Sequence, residues 1–308
     1  TLAVLYEFPE DIALDKAIPP AWQDPKNWPM VTPNRGRSIT IPRLEEDFER
    51  AKISGQDEIV RWASQHLNIE IGLALRTDRW AGADFWQGRA EPTLTLDELL
   101  ARSDVVAIGG DGGGLDDLLG FAVMGRDKKT RQLLLWCRAW AHTSVLDRRK
   151  GEVSVFRDFE KAGDLRIIER LGDDLEELAA LAKKVKDTGK LFKVGLDPAG
   201  VGGIVEALEQ VGIAGDMVVG ISQGWKLTGA IKTMERALAD GSMVHAGQSL
   251  MAWCVGNAKV EPRGNAIIIT KQAAGSAKID PLMAAFNAIT LMGMNPQPRG
   301  SARITILD

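Results

Sequence analysis

The order of the apolar runs after Asp104 most limits the folds open to this chain. Residues 105–108, Val-Val-Ala-Ile, read as a buried strand. Residues 118–124 and 132–139 read as two more, separated by short polar turns, which predicts a three-strand antiparallel meander. The pattern then changes. Residues 141–190 are charged and read as loop and helix, with helical periodicity over 173–186. A strand follows at 191–196, and Ile204, Val205, Leu208 and Val211 then mark one helix face. A strand at 217–221, helices near 227–239 and 248–257, a short strand at 266–270 and a helix at 281–292 complete the order. A meander followed by strand–helix alternation predicts a mixed α/β sheet flanked by helices.

Residues 1–100 differ. Pro19, Pro20, Pro25, Pro29, Pro33 and Pro42 interrupt both helix and sheet, and Trp22, Trp28, Trp62, Trp80 and Trp86 are interspersed with them. Two helices are expected, near 41–54 and 58–68. The expected organisation is an irregular, partly helical linker over 1–100 and a sheet domain over 101–308. No internal repeat or low-complexity tract is present.

Of the 308 residues, 45% are hydrophobic, enough for a sizeable core. The net charge of -4 excludes a globally basic coat for nucleic acid, while 38 Lys and Arg leave room for local basic patches. Cys137 and Cys254 lie in apolar surroundings and read as buried thiols of a reducing compartment; two cysteines alone make neither a disulfide framework nor a zinc site. No apolar run reaches the roughly 18 residues of a membrane span. The opening Thr1-Leu-Ala-Val-Leu-Tyr-Glu-Phe-Pro9 reads as a strand cut from a longer chain rather than a signal peptide.

Three aspartates are expected at element ends. Asp111 closes the first strand inside Ile108-Gly-Gly-Asp-Gly-Gly-Gly114. The glycines leave room beside a carboxylate for a phosphate, although Asp and Gly also suit a hairpin turn. A P-loop is ruled out, because no Gly-x-x-x-x-Gly-Lys-[Ser/Thr] occurs, and a dinucleotide fingerprint fits badly because a strand follows, not a helix. Asp197 ends the strand in Val194-Gly-Leu-Asp-Pro198, where Asp-Pro also suits a turn. Asp280 in Lys278-Ile-Asp-Pro281 also suits a helix cap followed by Pro at the first helical position. Together, strand ends and a helix start can bring three distant carboxylates to one sheet edge. Hard oxygen ligands suit Mg²⁺ or Mn²⁺. Two such ions about 4 Å apart can activate a water and stabilise the leaving oxygen of a phosphodiester.

Several segments, in order, resemble the C-terminal nuclease part of tailed-phage terminase large subunits. They are Asn27-Trp-Pro-Met-Val-Thr-Pro-Asn-Arg-Gly36, Gly110-Asp-Gly-Gly-Gly-Leu-Asp-Asp-Leu118 and Val194-Gly-Leu-Asp-Pro198 with its helix to Gly212. Ile221-Ser-Gln-Gly-Trp225, Met243-Val-His-Ala-Gly-Gln248 and Trp253-Cys-Val-Gly-Asn257 follow, then Lys278-Ile-Asp-Pro-Leu-Met-Ala284. The resemblance implies a ribonuclease H-like nuclease using two Mg²⁺ or Mn²⁺ ions on Asp111, Asp197 and Asp280, with Asp111 bridging. Asp117 matches the second Asp of the first motif, but Asp117-Leu-Leu-Gly120 departs from the family's Asp-Leu-Thr-Ala, and Asp116 competes for the same role. The resemblance further implies double-stranded concatemeric phage DNA as substrate, the portal protein and small terminase subunit as partners, and the host-cell cytoplasm as location, with no membrane association. The family's ATPase part, with its Walker A motif, is expected to be missing, so this chain should cut DNA without hydrolysing ATP.

Other residues carry open alternatives. His245 could act as a general base, but a lone His beside Val244 suits a structural role. Gln223 could touch substrate or hold a loop. Lys278 could touch a phosphate or be a solvated charge. Arg148, Arg149 and Lys150 are better candidates for DNA backbone contact than Lys183, Lys184 and Lys186, which share a helix with Glu176 and Glu177. The tryptophans read as core packing, since a duplex has its bases already stacked. Two competing readings are a junction resolvase or ribonuclease H relative, and a non-catalytic docking module of the packaging motor.

Overall fold

The computed structural model describes residues 6–13, 15, 17, 19–69, 79–271 and 278–298. Two compact units divide at Thr77/Asp78, earlier in the chain than the change of composition near residue 100.

The first unit contains a short helix α1 (Glu10–Ala13), two 3₁₀ turns (Ala21–Gln23 and Trp28–Met30), and a helical pair, α2 (Ile41–Ser54) and α3 (Gln56–Leu67). Thr40 caps α2, its hydroxyl accepting from the Arg43 amide. Gly55 at φ 109° ends α2 and starts α3, a conformation that favours glycine. Trp22, Trp28, Phe48 and Trp62 form its core, and the Trp28 indole donates to the Trp22 carbonyl at 2.8 Å. The prolines that break regular structure therefore coexist with an aromatic core of the unit's own.

The second unit opens with α4 (Ala83–Trp86) and α5 (Leu96–Arg102), then β1 (Ser103–Gly112), β2 (Leu119–Asp127) and β3 (Leu133–His142). It continues through α6 (Ser144–Arg148), α7 (Val153–Ala162), β4 (Leu165–Ile168), α8 (Asp173–Asp187), β5 (Leu191–Leu196) and α9 (Gly202–Gln210). β6 (Val218–Gly220), α10 (Thr228–Asp240), β7 (Met243–His245), α11 (Ser249–Asn257), a β8 (Ala258–Arg263) and β9 (Ala266–Lys271) hairpin, and α12 (Asp280–Met292) follow. The seven-stranded sheet has the order β4-β3-β2-β1-β5-β6, with β7 also on β3. β2 is antiparallel to β1 and β3, and the remaining pairs are parallel. The meander and the mixed sheet are as the apolar runs predict. β4, β7 and β8 escape that reading. β4 and β7 are too short to show a period, and β8 carries charges and a proline. β4 and β7 share the outer edge of β3, β7 beside its first residues and β4 beside its last.

Side-chain size differs between the two sheet faces. One presents Val106, Ile108, Phe121 and Val123 to a core that includes Leu99, Leu178, Ala182, Ile204 and Leu208 of α5, α8 and α9. The other presents Ala107, Gly109, Gly120 and Ala122, and α12 lies on it. A Cβ on Gly109 would stand 1.9 Å from the Ala284 carbonyl oxygen, and one on Gly120 would stand 2.6 Å from the Asp280 carbonyl. The helix therefore rests on bare backbone. It is buried almost all round, as an apolar helix at the centre of a large unit must be.

Candidate active site

Because only β2 runs the other way, the C-terminal ends of β1, β3, β4, β5 and β6 meet at one edge. Asp111 is the second-last residue of β1 and pairs with Gly120. Parallel pairing of Gly110 with Leu196 brings Asp197 to the same edge. Gly120 lies beneath the Asp280 backbone, so α12 begins directly over the Asp111 pair. The three element ends expected from the sequence thus converge. Of the five glycines flanking Asp111, which leave room for a phosphate in the sequence, Gly109 makes room for the helix that delivers Asp280, and Gly120 on β2 does the same. Gly112 does border the site: a Cβ there would come within 3.1 Å of Asp280 Oδ1.

Asp111 and Asp280 are each only 9% exposed. Burial, and then the charges of Asp280, Asp197 and Asp117, push the Asp111 carboxyl up to about 8. Burial and the Asp117 charge raise Asp280 to about 7, against the opposing pull of Lys278, its own amide and Lys271. Asp280 Oδ2 is buried with no hydrogen-bond partner. Asp197 is half-buried, and its Oδ1 accepts from the Ala199 amide at 3.0 Å, an Asx turn. Among the described residues no three His, Cys, Asp or Glu side chains are grouped closely enough to hold an ion between them as they stand. This is compatible with the influence of three other aspartates on Asp111. Coulomb interaction reaches well beyond the ~2.0–2.6 Å ligand distances of a hard cation, and like charges favour separation. An excess of buried carboxylate and an orphaned carboxylate oxygen fit a divalent cation, which demands ionised oxygen donors.

The neighbouring aspartates are engaged. Lys278 is only 1% exposed and donates from Nζ to Asp117 Oδ1 and to the Asp116 carbonyl. The Asp116 carboxylate takes a two-pronged contact from Arg149, at 3.2 and 3.3 Å. Lys278 is therefore neither a solvated charge nor a surface phosphate contact. It lies beneath the β1–β2 loop and offsets the charge of Asp117. Chemical labelling of native lysines checks this: Lys278 should resist acetylation while exposed Lys150 and Lys226 react. Labelling of Lys278 as fast as Lys150 would contradict the burial. Arg148 and Lys150 are exposed on the segment leaving β3, at the aspartate edge, whereas Arg149 faces inward.

His245 lies at the opposite edge, on β7 beside Leu135. Its ring stacks on Trp86 at 3.8 Å, Nε2 donates to the Trp86 carbonyl at 2.8 Å, and Nδ1 accepts from the Gly247 amide at 3.1 Å. Burial holds its pKa below the usual range. It is structural, and the general-base alternative falls.

Gln223 and Asn287 form a brace that the sequence reading left open or missed. Asn287 is fully buried on α12 and donates to the Gly110 carbonyl, next to Asp111, at 2.9 Å. Its Oδ1 accepts from Gln223 Nε2 at 3.0 Å, and that amide also donates to the Ile221 carbonyl at 2.9 Å. The Ile221 amide in turn donates to the Leu196 carbonyl, next to Asp197, at 2.7 Å. Two carbonyl acceptors at the ends fix which way both side-chain amides point. One chain of hydrogen bonds, buried at Asn287 and half-buried at Gln223, thus ties together the three elements that carry the aspartates. The available signal was an asparagine in a helix whose other polar residues are Asp280 at its start and Thr290.

The chain is 24% identical over 283 residues to Protein YmfN of Escherichia coli (strain K12), covering 87% of this chain and 59% of that protein. Its fold matches the large terminase of bacteriophage HK97, with TM-score 0.54 and 16% identity, over 92% of this chain and 56% of that one. The large terminase nuclease of the thermophilic phage G20c, solved with bound magnesium, matches at TM-score 0.44 and 13% identity, over 70% of this chain and 98% of that one. The chain therefore spans little more than half the length of the first two. The mixed sheet is ribonuclease H-like, as expected. Residues 19–295 match the family model described as terminase large subunit, endonuclease domain, and the chain belongs to that family.

Proposed function

We propose that this chain is a divalent-metal-dependent endonuclease that cuts double-stranded, concatemeric phage DNA during genome packaging. The observation that carries the reading is the burial of Asp111 and Asp280 on one glycine-floored edge, with Asp197 next in register. Asp111 stands at the electrostatic centre, feeling Asp280, Asp197 and Asp117 together, which suits a bridging ligand. Asp197 and Asp280 would hold the ions from either side. Asp117 has an accessory part, because Lys278 already offsets its charge. Two Mg²⁺ or Mn²⁺ ions, when bound, would supply Lewis acidity to the phosphodiester and its attacking water. The chain's own residues do the positioning: the Asn287–Gln223 brace holds the strand ends and helix in register, and Arg148 and Lys150 give the DNA backbone a cationic approach.

We assign the nuclease to the second unit, and to the first the connection to a packaging ATPase. The portal protein and the small terminase subunit are the proposed partners, in the host-cell cytoplasm. No helix among the described residues is long and apolar enough to cross a membrane.

Supercoiled plasmid tests the proposal. Nicked and linear products should form with Mg²⁺ or Mn²⁺, not with chelator, and should disappear in Asp111→Ala. Cutting confined to four-way junctions, or faster cutting of RNA–DNA hybrids than of plain duplex, would redirect the reading to a resolvase or ribonuclease H. No cutting with either ion, or no Mn²⁺ binding that Asp197→Ala or Asp280→Ala weakens, would leave a docking module.

A further inference from the structure

Of the nine tryptophans, Trp225 alone is left exposed, at 61%. An indole in water forgoes the burial its large apolar surface would otherwise gain. The loop that carries it is well held. It leaves β6 at the aspartate edge, where Ile221 bonds to Leu196 and Gln223 bonds to Asn287. The Thr228 hydroxyl contacts the Trp225 carbonyl at 2.7 Å and both backbone groups of Ile267, at 3.0 and 3.1 Å, so the β8–β9 hairpin is tied to the same turn.

Between turn and hairpin lies an open groove of about 670 Å³, lined by Trp225, Lys226, Thr228, Arg263, Asn265 and Ile268. Lys226 Nζ stands 5.9 Å from the Trp225 ring centre. Two cations and no carboxylate are among the described residues that line it. Glu261 of the hairpin is not among them and accepts a bond from Thr270 at 3.0 Å. On a chain of net charge -4, and leading from an edge crowded with aspartates, this is a local reversal of sign. An exposed aromatic face flanked by cations and an amide is the chemistry that holds a nucleic-acid strand: bases stack on the ring, and phosphates meet the cations.

We propose that this groove binds one or two unpaired nucleotides of the substrate strand beside the cut, with Trp225 as the stacking platform. Paired bases hide their faces inside a duplex, so the groove selects DNA whose stacking is locally broken. The proposal rests on the nuclease reading above, and it departs from the expectation that every tryptophan is packing.

The test uses the full chain with Ca²⁺ in place of Mg²⁺, and two labelled probes: a fully paired duplex, and the same duplex with a two-nucleotide bulge containing 2-aminopurine. The wild type should bind the bulged probe tighter by on the order of tenfold and quench its fluorescence, within the range base–aromatic stacking supplies. Trp225→Ala should erase the preference and the quenching while plain-duplex affinity stays within about twofold, since stacking is the only interaction removed. Trp225→Phe should keep most of both effects. Lys226→Ala and Arg263→Ala should weaken binding to both probes and flatten its salt dependence. Equal wild-type affinity for the two probes, or a preference that survives Trp225→Ala, overturns the groove; a protein-docking role for Trp225 would give one of these two results. Plasmid cutting by the same preparations with Mg²⁺ separates the outcomes: cutting without the bulge preference sinks the groove alone, and preference without cutting sinks the nuclease reading alone.

Discussion

Replacing Asp111 with asparagine should raise the melting temperature of the chelator-treated protein at pH 7 and, in the same variant, abolish metal-dependent cutting. The sign follows from linkage. Asp111 titrates near 8 in the fold against 3.8 as a free side chain, so between those values the folded state holds a proton that the unfolded state has released. Stability then falls as pH rises through this window, and the loss is complete above about 8. At pH 7 the upper bound is about 4 kcal/mol, at about 1.4 kcal/mol per unit. A realised gain of about 1–3 kcal/mol, a few degrees in Tm, is expected from the neutral isostere. The gain should shrink toward zero by about pH 4, where aspartate is neutral in both states. Scanning calorimetry with chelator from pH 4 to pH 8 measures it. A variant no more stable than wild type at pH 7 would show that Asp111 carries no electrostatic burden, and with it would go the main physical reason to expect a cation there.

How far the sequence reveals this site differs from residue to residue. Asp111, Asp197 and Asp280 were legible as element ends because apolar runs stop beside them, and each alone suits a turn or a cap. Their convergence depends on strand register and on where α12 lies, and neither leaves a local pattern. The glycines around Asp111 were visible, but their use was not: a gap for a phosphate and a gap for a helix look the same in one dimension. Lys278 reads equally as a phosphate contact or a solvated charge, because its flanking residues do not reveal that the β1–β2 loop covers it. Asn287 carries little local signal, because a polar residue on a largely apolar helix acquires meaning only from the carbonyl it meets, here Gly110, far away in sequence. The short strands β4 and β7 are set by pairing to β3, not by any period of their own.

The close seating of α12 gives the other large effect. Gly120→Ala would put a methyl 2.6 Å from the Asp280 carbonyl carbon and oxygen and from the Pro281 nitrogen; Gly109→Ala would put one 1.9 Å from the Ala284 carbonyl oxygen and 2.7 Å from the Ala288 nitrogen. All of these atoms are backbone, so no side-chain rotation relieves the contact, and the helix must lift by on the order of 1 Å. Overpacking of this kind costs about 1–3 kcal/mol. The chemical cost should be larger, because a displacement of about 1 Å at a reacting centre is worth roughly 10²-fold in rate. Gly120→Ala acts at the residue under Asp280 itself, so it should lose cutting and Mn²⁺ affinity at temperatures where circular dichroism still shows a folded protein. Gly109→Ala acts one helical turn further along and should lose more stability than Gly120→Ala. Gly88→Ala, whose added methyl meets nothing within 4 Å, should leave cutting unchanged and Tm nearly so. If Gly120→Ala cut DNA at the wild-type rate with an unchanged Tm, α12 would not be resting on β1 and β2, and Asp280 would have no structural route to Asp111.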